Sequence, residues 1–115
     1  MSIESLDKRV EVWGKIKVYD NELKEWTFED GKIKTIWSCL IPQTGSLQKQ
    51  QADTILSNVT TKIKVRYGAG KDITEDMHIV YMEGNKIHRF DIKYILNPYM
   101  SNDFLEIFCQ EIIGG

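Results

Sequence analysis

Chemistry in this 115-residue chain would have to come from few residues. It has two histidines, two cysteines and one glycine-rich tetrapeptide. His78 and His88 flank the segment Glu83-Gly84-Asn85-Lys86, where they could meet across a hairpin as a metal pair or an acid–base couple. Zinc wants three or four ligands, and no third lies nearby in sequence, so both read as polar positions on the outer face of a hairpin. Cys39 and Cys109 have no CxxC spacing for a metal knuckle or redox pair. They read as small buried hydrophobes. Gly68-Ala69-Gly70-Lys71 lacks the GxxxxGK[ST] spacing of a phosphate loop and reads as a turn between strands. Glu75 and Asp76 follow Thr74 and read as a turn cap rather than a cation site. No serine sits in a nucleophile elbow. The chain is expected to be no enzyme and to need neither cofactor nor metal.

One basic row stands out. Lys62, Lys64 and Arg66 put three cations on one face of one strand. With Lys15 and Lys17 they could make a phosphate-facing patch. A solvated face that resists unwanted sheet pairing is the plain reading. A subunit-interface strand face, meeting an acidic partner, comes next, ahead of nucleic acid.

The elements that must carry these residues are strands. Val10, Val12, Ile16 and Val18 alternate with Arg9, Glu11, Lys15 and Lys17, which predicts a strand with one wet face. Trp13 interrupts the pattern and Gly14 follows it, as at a bulge or bend. Asp20-Asn21 and Asp30-Gly31 are turn formers, with Trp26 and Phe28 at strand spacing between them. Ile33 to Ile41 is apolar on both parities, which predicts a strand covered on both sides and ended by Pro42. Gln43 to Asn58 has no alternation and four glutamines, and so long a loop in a small domain is usually functional. A helical turn fits Ser46 to Ala52. Alternation then returns around Ile63 and Val65, around Ile79, in Phe90, Ile92 and Tyr94 on one face, and from Phe104 to Ile113. Gly84-Asn85 is a tight hairpin signal, and Asn97-Pro98 marks a turn. The sum is an all-β domain over residues 1–115: a six-stranded antiparallel β-barrel or sandwich with one long loop. Val10, Val12, Ile63, Val65, Ile79, Phe90, Ile92, Leu105 and Ile107 should point inward.

Composition narrows the class. Hydrophobic residues are 42% and charged residues 28%, values of a globular chain that can form a core. The net charge of -2 weighs against tight non-specific nucleic-acid binding. Met1 to Lys8 has no apolar stretch for a signal peptide, and no run is long enough for a membrane span. Synthesis in a host cytoplasm, with both thiols reduced and no membrane partner, is therefore expected.

Several pieces in this order and spacing resemble the phage head-tail joining, or head closure, family. They are Leu6-Asp7-Lys8-Arg9-Val10-Glu11-Val12-Trp13, Trp37 before Pro42, and the Gly45 to Ala52 segment. Thr61 to Tyr67, Ile73-Thr74-x-x-Met77 and Tyr81-x-x-Gly84 follow, then Phe104-Leu105-Glu106-Ile107-x-Cys109-x-Glu111. The resemblance spans nearly the whole chain. It implies a small β-barrel with a long loop, assembled as a dodecameric ring in the virion's head-tail connector. Such a ring extends the portal channel, closes the DNA-filled head and offers a tail attachment surface. Its partners would be a portal or connector adaptor protein, a tail terminator or tail-completion protein, and the double-stranded DNA passing through. Carried over, the channel gate or docking loop would comprise Gln43, Thr44, Gly45, Ser46, Leu47, Gln48, Lys49, Gln50, Gln51, Ala52, Asp53 and Thr54. The rival readings are another ring-forming neck or tail component and a small-barrel binding module for single-stranded nucleic acid or oligosaccharide.

Overall fold

The computed structural model of the chain describes residues 6–43 and 59–112. Alternation becomes strand wherever one face can be buried. β1 (Lys8–Asp20) buries Val10 and Val12 completely and turns Arg9, Lys15 and Lys17 to the other side. A turn at residues 21–24 follows, in which Asp20 Oδ1 accepts the backbone N–H groups of Glu22 and Leu23 at 2.9 and 3.1 Å. β2 (Glu25–Pro42) ends at the proline, as expected. β3 (Thr61–Arg66) leads into a single helical turn, α1 (Tyr67–Gly70). β4 (His78–Glu83) and β5 (Lys86–Leu96) form a hairpin whose Gly84 supplies the required positive φ of 61°. A 3₁₀ turn at Pro98–Met100 precedes β6 (Phe104–Ile112).

All neighbouring strands are antiparallel and close into a barrel in the order β1-β2-β3-β6-β5-β4. β4 returns to β1 through Glu11–Val80, Val12–Ile79 and Trp13–His78. All nine residues expected to point inward do so, and Ile36, Ile73 and Cys109 join them in the core. Lys34 enters the barrel mouth and donates to the Ala69 carbonyl of α1 at 2.5 Å.

Three local expectations are corrected and a fourth is refined. Asp30-Gly31 is no turn: it lies inside β2, paired with Lys15 and Gly14. β2 is not covered on both sides, since Ile33 and Trp37 are 39% and 50% exposed. The irregularity expected at Trp13 is present between Val12 and Trp13, with its extra residue in the partner strand. Val12 pairs with Lys34 and Trp13 with Lys32, so Ile33 is the extra residue. A second register shift skips Lys93, so Tyr94 leaves the face of Phe90 and Ile92 and tilts against Phe108 at 6.0 Å. The helical turn expected at Ser46 to Ala52 lies outside the described residues.

Antiparallel order sorts the connections onto two rims. One rim carries the β1–β2 turn, α1 with the 71–77 connection, and the 97–103 loop. The other carries the 43–60 connection and the Gly84-Asn85 turn. On the first rim, β1 beyond Trp13 pairs only with β2 among the described residues. Gly14 to Asp20 and Glu25 to Gly31 therefore project as a two-stranded arm, roughly 23 Å long at 3.3 Å per residue.

Candidate functional site

The histidines do not form a pair. His78 lies opposite Asp91, whereas His88 lies opposite Tyr81. His88 Nδ1 is 2.6 Å from Glu111 Oε2 and its Nε2 is 3.1 Å from Glu83 Oε1. Two carboxylates can be satisfied only by an imidazolium donating from both nitrogens. The Glu111 hydrogen bond first, then that to Glu83, raises the His88 pKa above its ordinary 6.5. The ring stacks with Tyr81 and Phe90 at 5.9 and 6.3 Å, so it clasps β4, β5 and β6. His78 is buried beside Trp13, 4.0 Å from Asp30. Burial, with the Arg89 charge, lowers its pKa against the opposing pull of Asp30 and Asp91. Burial also pushes the Cys109 thiol up to about 12, with Asp91 adding to it. His78 lines a polar groove of about 300 Å³ with Glu75, Asp76, Arg89, Asp91 and Lys93. Among the described residues, no three His, Cys, Asp or Glu side chains come close enough to share a metal ion.

The basic row on β3 keeps one face, as alternation requires. Its members are tied to neighbours rather than held out as a phosphate comb. Lys62 pairs with Glu106 at 3.5 Å. Lys64 Nζ and the Arg66 guanidinium lie 4.7 and 5.6 Å from the centre of the Phe104 ring. One strand over, Arg9 covers Trp37 at 4.8 Å. Each ring thus has a cation on one face, an arrangement worth about 0.5–2 kcal/mol per contact. Lys15 and Lys17 are not part of this row. They pair with Asp30 and Phe28, while β3 meets β2 at Cys39 to Pro42, about 30 Å further along the strand.

Of the loop named from sequence, Gln43 is described; Thr44 to Thr54 lie outside the described residues. The Gln43 N–H donates to the Thr60 carbonyl at 2.8 Å, so the connection leaves and re-enters the barrel at one place. Val59, just inside it, is fully buried.

Two surfaces went unread in the sequence. The 97–103 loop holds Tyr99, Met100 and Asn102 at positive φ of 58°, 52° and 61°. Asn97 and Asn102 lock it by two hydrogen bonds of 2.8 and 3.2 Å, and Tyr99 is 99% exposed. Left-handed tyrosine and methionine are uncommon and persist only where the surroundings over-determine them. Beside them a groove of about 270 Å³ is lined by Lys64, Tyr99, Phe104 and Glu106. The second surface is the outer side of β1–β2. Residues directly opposite in an antiparallel pair share a face. Trp13, Trp26 and Trp37, the only tryptophans of the chain, all fall on that side, with Tyr19 and Phe28. The clue was present in parity: Trp13 shares the side of Lys15 and Lys17, and Phe28 and Trp26 lie opposite Lys17 and Tyr19 rather than opposite valines.

None of the helices in the described residues is long and apolar enough to cross a membrane. What the described surface offers is exposed aromatics, cations and a loop locked by hydrogen bonds. The phage head completion protein family model matches residues 1–112. The solution structure of protein SF1141 from Shigella flexneri 2a is similar in fold, with a TM-score of 0.71 and 22% identity over 96% of each chain. No curated protein matches at a significant level.

Proposed function

This chain belongs to the phage head completion protein family, a family of structural phage head proteins, and from that premise we propose that it forms a ring in the head-tail connector. There it extends the portal channel, closes the DNA-filled head and offers the tail a docking surface. The observation that carries this reading is the two-rim barrel. A protein stacked between two partners needs a contact surface at each end. One rim presents Trp26, Tyr99 and Met100, each at least 59% exposed. Around the other, Met82 and Ile87 form an exposed cross-strand pair, near Ile112. Scattered exposed hydrophobics are ordinary, but clusters at opposite ends are not.

The partners in this reading are a portal or connector adaptor on one side, a tail terminator or tail-completion protein on the other, and packaged double-stranded DNA within. The net charge of -2 suits a conduit past which DNA slides. Gln43 to Thr54 supplies the element that meets the channel or the tail, and the β3 row of Lys62, Lys64 and Arg66 supplies a contact between subunits. Negative-stain imaging of the protein with its portal complex tests the reading. It should show an added ring-shaped layer at the portal's outer end. A chain that stays off the portal and binds oligonucleotides with a steep salt dependence would favour a single-strand binding barrel instead.

A further inference from the structure

The projecting arm has two chemically different faces. Its inner face carries Ile16, Val18 and Thr27 with Asp20, Glu25 and Glu29, three carboxylates and no cation. Its outer face carries Tyr19, Trp26 and Phe28 with Lys15 and Lys17, against the single carboxylate Asp30, and just past the arm Lys32 pairs with Glu11 at 3.8 Å. Lys17 already lies over the Trp26 ring at 5.2 Å, and Tyr19 meets that ring edge-on at 5.3 Å. Phe28 and Trp26 are nevertheless 67% and 59% exposed.

A lone two-stranded ribbon is at best marginally stable in water and needs a further layer. Stacked sheets pack about 10 Å apart, with apolar side chains interdigitating. The layer that fits here is another copy of the same ribbon, because each face is the complement of the other in charge and in apolar content. The outer face also continues past the arm down β1–β2 to Arg9 and Trp37, roughly 33 Å from Tyr19 at 3.3 Å per residue. A neighbour's arm therefore has a runway longer than itself.

We propose that the acidic inner face of one arm seats on the basic, aromatic outer face of β1–β2 in the next copy of this chain. The two surfaces are different, so the contact is head-to-tail, and repeated around an axis it closes a ring. At the Gly14–Gly31 pair, where the arm leaves the barrel, the inner face is closed by the chain itself: a Cβ on Gly31 would come within 2.5 Å of Ile16 Cδ1 and one on Gly14 within 3.0 Å of Met77 Cγ. This inference deepens the ring reading above and rests on it.

The test uses two charge-reversed variants of the full chain. Glu25→Lys with Glu29→Lys makes both faces basic, and Lys15→Glu with Lys17→Glu makes both acidic. Each alone should remain a folded monomer, by circular dichroism and light scattering, under conditions where the wild type assembles. Mixed in equal amounts, they should co-assemble alternately and regain the wild-type mass. A structural defect in the arm would not be repaired by mixing. Variants that assemble alone as well as the wild type, or a mixture that stays monomeric while the wild type assembles, would overturn the proposal and leave the ring intact. A wild type that never assembles, alone or on its portal, would remove the ring reading together with it.

Discussion

His88 and His78 respond to pH in opposite directions. Folding raises the His88 pKa, so its stabilisation is fully present below the unfolded value of 6.5 and fades as pH rises through the folded value. Folding lowers the His78 pKa, so its penalty appears as pH falls through 6.5. Thermal melts at pH about 5.5 and about 8.5 separate the two. His88→Gln should lose more stability at the lower pH, and His78→Gln should lose more at the higher. Gly70 gives a steric test. A Cβ there would come within 2.6 Å of Val65 Cγ2 in the core, whereas one on Gly68 meets nothing within 4 Å. Gly70→Ala should cost about 1–3 kcal/mol through overpacking, and Gly68→Ala should be harmless by denaturant melt. Cys109, fully buried with a thiol pushed up to about 12, should react with Ellman's reagent only as the barrel opens.

At the scale of the element, the arm and the barrel are separable. Within the described residues, the strands of the arm hydrogen-bond to each other and not to the rest of the sheet. Replacing residues 15–30 by an Asn-Gly turn between Gly14 and Gly31 should therefore leave the melting transition of the barrel nearly unchanged while abolishing self-association. A melt lowered as far as by Ile63→Ala, which should cost about 2–5 kcal/mol, would show that the arm helps hold the core. The strands and core were legible because burial on one side imprints a period of two, as in Val10, Val12, Ile63 and Val65. The irregularity beside Trp13 was legible, but its extra residue, Ile33, and the slip at Lys93 were not, because both are ordinary strand residues and only their partners reveal them. Asp30-Gly31 misled because its turn chemistry is local, whereas long-range pairing with Gly14 and Lys15 decided the outcome. The outward tryptophans were readable in parity but not in meaning, since single-chain reasoning expects aromatics inside. Nothing in Tyr99-Met100 announces a left-handed backbone; the Asn97–Asn102 lock that holds it forms only when the loop closes.

For the whole molecule, the proposed role rests on where its surfaces lie. A net charge of -2 gives the molecule no strong overall field of either sign. Its rims carry the exposed aromatics, methionines and isoleucines through which it would join its neighbours. The central claim is that this protein completes the filled head so that a tail can attach. The most direct measurement removes the chain from the phage and adds it back. Particles made without it should be DNA-filled heads that carry a portal, lose their DNA and lack tails. The purified 13.4 kDa protein added to freshly filled heads should restore DNA retention and tail joining, counted by electron microscopy and plaque titre. Tailed, infectious particles produced in its absence would contradict the account.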